Sequence, residues 1–507
     1  MLFHNAGRQA AVEIQSWPES IARALTHPRA AESTKAAQRK SLHPLRGFRD
    51  LCVSGVRQHM ARPYEICSAR RMRCACGAGR GAGGFFMIYP RCILMLVIFL
   101  IGPLIVAGQS AASAKLSEKD QARFDELRAR GFEATYNLDY DEAQRQFEEL
   151  ARSFPDHPAG PQFLAANLWL KTLNKARRLS ASLYNSDAFY ASEEDKVDQR
   201  TLNQFRDWTR QAKALAEARL KRDPRDVEAL YHLGATEGLR AAFAAAVERR
   251  FIAALREGSR SVDRHRQVIK LDPSFHDAEI SIGMYDYVVG ALPLPVKILA
   301  SIGGVRGSKK RGLATLERVA REGRWARDDA KVLLIALLKR EKRFAEALAY
   351  ARELSEKYPR NYNLKLEVAD ALVSQAAVEK KTDPAAAIKL EREAFAIFDA
   401  MLRDNTVRQL AGSFDLVHFR YGEALMAAGQ VERAAAEFAA ATTAPGAEMQ
   451  LVTLAQLRGA QALDLAGKRR EALARYRAVL ERPNVFTSRA EAERGLREPY
   501  KQAVSNE

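Results

Sequence analysis

Cysteine is missing from most of this chain. All five lie early, at Cys52, Cys67, Cys74, Cys76 and Cys92, and none follows. The long downstream region therefore forms no disulfide, which suits an oxidising compartment without proving one. Cys74 and Cys76 lack both the C-x2-C spacing and a second ligand pair, so no zinc site is expected there. No run of alternating β-branched residues stands out, so almost no sheet is expected. The metalloprotease pattern H-E-x-x-H and the hydrolase pattern G-x-S-x-G are both absent, and no cysteine nucleophile lies past Cys92. No catalytic residue, metal or cofactor is therefore expected, and the chain reads as a non-enzyme. His157, His232, His265, His276 and His418 stand alone on separate segments and read as core or surface residues, not ligands. Glu193-Glu194-Asp195 reads as a solvated turn. Gly304-x-x-Gly307-Ser308-Lys309 lacks the phosphate-loop order and a preceding strand.

Acidic residues are scarce at one end. Residues 1–86 hold 14 Lys/Arg against 5 Asp/Glu, half of the net charge of +18. The remaining excess is scattered among acids and reads as solvated helix faces. The sequence pI of about 9.7 thus marks the N-terminal stretch, and no nucleic-acid partner is expected. Alanine, leucine, arginine and glutamate dominate the rest, which favours helix. A chain of 507 residues exceeds a usual single domain. A repeat array is exempt, because it grows by adding units.

A spaced trio recurs. Gly131, Ala143 and Phe147 are matched by Gly422, Ala434 and Phe438, and again by Ala460, Ala472 and Tyr476. Pro155, Pro445 and Pro483 close the three copies. The small residue lets two helices cross closely, the alanine is the matching contact, and the aromatic fills the gap one turn on. Proline, lacking an N–H, ends the second helix. The pattern resembles the tetratricopeptide repeat, a helix-turn-helix unit of about 34 residues. That resemblance implies an all-α solenoid of about eight antiparallel helix pairs that builds binding surfaces rather than a catalytic pocket.

Residues 1–86 show no sustained apolar period and read as a disordered basic extension. At 87–114 come Met87, Arg91, an apolar run from Cys92 to Ala107, and small residues ending Ala112-Ser113-Ala114. These are the parts of a secretory signal peptide, with cleavage expected after Ala114. One reading starts translation at Met87. A second keeps a basic cytoplasmic tail before a signal anchor. A third is a mitochondrial transit peptide. The first two place the rest in a periplasmic or envelope-associated space.

Helical periodicity then runs almost unbroken. Residues 115–275 read as N-terminal repeat-like pairs, with helices at 160–178, 202–222, 227–256 and 259–271, and 326–507 as C-terminal repeats ending in a capping helix at 490–504. Lys381–Pro384 reads as a turn with Asp383 capping and Pro384 in the first turn. Residues 276–325 depart from the pattern. Tyr285 to Leu313 carries Pro293 and Pro295 in an apolar stretch, then a Gly-rich basic turn. With Gly304, Gly307, Lys310, Gly312 and Leu313, it is loosely similar to the eukaryotic repeat family that includes the yeast inclusion-body clearance protein. That likeness implies shared architecture, and Ser308 stands where the family has an acid.

Three readings stay open for this segment: an inter-repeat connection tucked into the groove, a partner-binding lip, or lipid contact through 288–302. In the second, Tyr285, Tyr287, Leu292 and Leu294 are apolar anchors, and Trp169 joins them if it is exposed. The expected partner is a protein or peptide held in the concave groove.

Overall fold

The computed structural model describes residues 116–179, 197–248, 250–292, 297 and 306–501. The basic stretch 1–86, the signal segment 87–114, the cysteines, the acidic turn at 193–195, Leu294, Gly304 and most of 288–302 lie outside the described residues. The compact unit that holds the described residues is all-α, with no strand among them.

Eight helix pairs follow one another among the described residues. They are α1 (Glu118–Tyr136) with α2 (Tyr140–Ser153), α3 (Ala159–Lys175) with α4 (Gln199–Arg222), and α5 (Val227–Ala246) with α6 (Phe251–Leu271). Next come α7 (Glu279–Gly290) with α8 (Lys309–Glu322), α9 (Arg327–Arg340) with α10 (Phe344–Lys357), and α11 (Tyr362–Glu379) with α12 (Pro384–Arg403). After the short α13 (Asn405–Ala411) stand α14 (Asp415–Ala427) with α15 (Val431–Thr443) and α16 (Met449–Leu465) with α17 (Arg469–Leu480); α18 (Ser488–Arg497) closes the array. Apart from the short α13, each helix packs on the next in the row, so the architecture is a tetratricopeptide-like solenoid.

The trio sits at the pair interfaces. Ala143, Phe147, Ala434, Phe438, Ala460, Ala472 and Tyr476 are all buried. A Cβ on Gly131 would lie 2.2 Å from the Phe147 ring, and one on Gly422 would lie 2.8 Å from the Phe438 ring. The expected prolines fall just past α2, α15 and α17.

The turn inside the pairs also repeats. Leu138, Lys342, Gly429 and Gly467 all have positive φ, between 60° and 83°, each two residues before its second helix. Two of the four are not glycine, so the turn carries local strain that the packed pair sustains.

Two boundaries differ from expectation. The break in the third pair falls at 247–250, not near Gly258, which lies inside α6. A Cβ there would meet only Ala241 and Tyr285, each at an ordinary 3.9 Å, so that glycine neither breaks the helix nor admits an unusually close neighbour. The capping helix ends at Arg497, just short of Pro499, rather than reaching 504. Asp383 caps α12 by accepting the Ala386 N–H at 3.0 Å, with Pro384 in the first turn, as expected.

The row bends until its first pairs meet later ones. Tyr136, ending α1, stacks on Tyr358 with ring centroids 4.7 Å apart, and its hydroxyl reaches Asp329. Arg177, just past α3, donates to both carboxylate oxygens of Asp415 at 3.0 and 3.2 Å. Asp415 has no exposed surface and also accepts the Glu448 N–H at 2.8 Å. An interrupted pair of this kind would leave a buried charge uncompensated, which fixes how the end of α3 meets the start of α14.

Candidate functional site

An arginine-lined cleft opens on the second and third pairs. Phe205, Arg206, Thr209 and Arg210 project from one face of α4, the spacing that a helical turn produces. Arg240 and Phe243 come from α5, Glu248 and Arg250 from the following turn, and Glu257 from α6. The cleft holds about 310 Å³. Its floor is apolar: Phe205 and Phe243 stack with centroids 3.8 Å apart. Its walls are charged. Arg206 donates to Glu248 at 2.6 Å and Arg240 to Glu257 at 3.1 Å. Arg210 and Arg250 are both largely exposed; the first pairs with Asp207 at 2.9 Å and the second lies 3.6 Å from Glu248. Four arginines face two glutamates, so the cleft is electropositive over an aromatic base. Such a surface favours a ligand that carries both acidic and apolar groups.

A second cluster is closed to solvent. Glu228 and His232 sit one turn apart on α5 and so share a face. His157, in the turn between α2 and α3, meets them: its Nε2 lies 3.2 Å from Glu228 Oε1, and its ring centroid is 5.2 Å from that of His232. Nδ1 of His157 accepts the Ala159 N–H at 3.2 Å. Nδ1 of His232 pairs with Gln162 Oε1 at 2.5 Å, an arrangement in which the imidazole donates. Arg219 donates to the other oxygen of Glu228 at 2.9 Å. Burial, with the nearby His157 adding to it, holds the His232 pKa well below its ordinary value. Burial alone would raise the Glu228 carboxyl, but His157, His232 and Arg219 outweigh it and hold it low. Sequence reading set these histidines apart because they are far apart in the chain. The one local signal was the four-residue interval between Glu228 and His232.

Of the expected anchors, Trp169 is half-buried and packs on the cluster of Phe205 and Phe243, beneath the cleft. Tyr287 is a core residue, 1% exposed, with its hydroxyl donating to Glu341 at 2.7 Å. Tyr285 is half-buried against Gly258, and burial raises its pKa. Leu292 is half-buried. Trp169 thus packs on the core that includes Phe205 and Phe243 without lining the cleft, and Tyr285, Tyr287 and Leu292 lie on a different pair. Ser308 does cap α8, accepting the Arg311 N–H at 3.3 Å. Lys309 and Arg311 begin α8 on its exposed side, where they pair with Glu341 at 2.7 Å and bidentately with Asp286, because α7 and α9 bring those acids to the start of α8.

No protein-family profile matches the sequence, and no curated relative matches it. Some solved structures are similar to the chain at low identity. A human IFIT1 dimer with PPP-AAAA is 14% identical, with a TM-score of 0.40, covering 75% of this chain and 86% of that one. Human IFIT1 with m7Gppp-AAAA is 12% identical at the same TM-score, covering 76% and 86%. The APC/C hetero-tetramer Cut9-Hcn1 is 14% identical, with a TM-score of 0.18, covering 72% and 88%.

Proposed function

We propose that this solenoid is a non-enzymatic scaffold that holds a protein partner, and that the cleft of α4, α5 and α6 is its docking point. The observation that carries the reading is the pairing of an aromatic floor with a surplus of arginine in an open, preformed cleft. An acidic peptide segment with an apolar side chain matches it: the carboxylates meet Arg206, Arg210, Arg240 and Arg250, and the apolar group rests over Phe205 and Phe243. Guanidinium groups suit carboxylates because they bond bidentately. The test compares affinity capture from cell extract by the native chain and by Arg206→Glu with Arg240→Glu. Proteins captured by the native chain and lost by the double variant support the reading. An unchanged set of captured proteins would remove the cleft from it.

Export is proposed alongside, on the strength of the apolar segment before Ala112-Ser113-Ala114. N-terminal sequencing of the native protein should begin at Lys115. A retained apolar segment would overturn cleavage.

A further inference from the structure

The buried cluster at the junction of the first three pairs has more ligating atoms than its hydrogen bonds use. His232 is 1% exposed. Its Nδ1 is engaged by Gln162, yet its Nε2 has no hydrogen-bond partner. His157 is 5% exposed, and its Nε2, though near Glu228, is also without an aligned partner. Buried nitrogen atoms left unpaired are rare and call for a bound water or ion. One ring nitrogen of each histidine and a Glu228 oxygen all lie within 4.8 Å of one another, and His157 Nε2 is 3.2 Å from Glu228 Oε1.

We infer that His157, Glu228 and His232 bind a divalent transition-metal ion of the zinc class through two imidazole nitrogens and one carboxylate oxygen. Three features favour an ion over a structureless gap. The donor set is the nitrogen-and-oxygen combination that zinc accepts. The outer contacts are of the orienting kind. Gln162 fixes the His232 tautomer so that Nε2 presents its lone pair, and Arg219 holds one Glu228 oxygen while the other faces the histidines. The ligands also come from a turn and a helix that belong to different pairs, so an ion would fasten the α2–α3 turn to α5.

Metal entry displaces the proton on His157 Nε2. The ring then carries its proton on Nδ1, and the 3.2 Å bond from the Ala159 N–H is given up. That loss is small beside the free energy of a three-ligand transition-metal site. Trp325, stacked on His232 with centroids 6.3 Å apart, has a buried indole N–H without an acceptor.

The test uses the full chain, stripped with chelator and titrated with Co2+ and, separately, with Zn2+. The expected result is visible d–d absorption of a tetrahedral Co2+ ion at one equivalent, and a thermal midpoint several degrees higher with Zn2+. The early cysteines would announce themselves by thiolate charge-transfer absorption, which a nitrogen-and-oxygen site lacks. Glu228→Gln keeps the shape of a partly exposed side chain, and His232→Gln removes the deepest ligand. Each should abolish the nitrogen-and-oxygen bands and the Zn2+ shift. A native chain that shows neither bands nor shift overturns the inference and assigns the gap to a buried water. Bands that persist unchanged in Glu228→Gln overturn it too, by placing the ion elsewhere.

Discussion

The α14–α15 pair and the α7–α8 pair solve the same problem in opposite ways. Both must bring two helices close together. Between α14 and α15, Gly422 makes room for the ring of Phe438, and the interface is a side chain seated in a gap. Between α7 and α8 no ring intervenes. A Cβ on Gly312 would lie 2.6 Å from both the Gly283 carbonyl oxygen and the Tyr287 nitrogen, and one on Gly307 would lie 2.6 Å from the Asp286 oxygen. There, backbone meets backbone, and a charged pair at the edge, Arg311 with Asp286, does what the aromatic does elsewhere. A side chain in a gap can shift to accommodate an added methyl group. Two backbones in contact must part.

The largest effect should come from emptying the regular interface. Phe438→Ala is expected to cost about 4 kcal/mol, because the ring is fully buried and the helices cannot collapse into its volume. Chemical denaturation of the variant reads this directly; a loss near zero would mean that the ring does not join the pair. Gly312→Ala should cost about 3 kcal/mol, the upper end for overpacking, since no side-chain rotation relieves the contact. A neutral outcome would show that α7 and α8 are not in backbone contact.

How much of this was legible follows from the same contrast. The regular pairs announce themselves, because a small residue, an alanine and an aromatic recur at fixed intervals and their chemistry dictates the packing. The α7–α8 pair was recognisable only as a departure. Glycines that admit a backbone leave no periodic trace, and the acids that receive Lys309 and Arg311 lie on other helices. The α5–α6 break was misplaced because Gly258 resembles a helix breaker, yet its surroundings leave a helix undisturbed. The cleft was not foreseen: Trp169, the one expected anchor near it, packs on its core and does not line it. Its arginines look like ordinary solvated faces until α4, α5 and α6 are brought together. The His157–His232 meeting needs the α2–α3 turn to be folded against α5, which no local pattern encodes.

Acid should weaken the middle of the array more than its regular end. Burial lowers the His265 pKa to about 4, with the Tyr231 carbonyl only partly opposing it, and His232 is lowered as well. The unfolded chain binds protons at these sites near pH 6.5, and the folded chain resists them, so stability is full above that value and falls as pH drops toward the folded pKa. From His265 alone the loss between pH 7 and pH 5 should be about 2 kcal/mol. Thermal unfolding across that range checks it, and His265→Gln should flatten the dependence. A profile that is level, or that falls on the alkaline side, would place the charge elsewhere.

The smallest effect should be a gain. Lys342 is exposed and holds φ of 60° in the turn where two other pairs use glycine. Lys342→Gly should stabilise by about 0.5–1 kcal/mol, as the relieved strain exceeds the added freedom of the unfolded chain. A loss of that size would mean that the turn is not strained.

The contrast between the two interfaces is tested most directly by rescue. Gly422→Ala should cost about 1–3 kcal/mol in the native chain and under about 0.5 kcal/mol in a Phe438→Ala background, because the ring that the methyl meets is gone. Gly312→Ala should cost as much in a Tyr287→Ala background as in the native chain, since that truncation leaves the Tyr287 nitrogen and Cβ in place. Paired denaturation curves give both numbers. Rescue at Gly422 without rescue at Gly312 is the predicted result; equal rescue at both, or at neither, would contradict it.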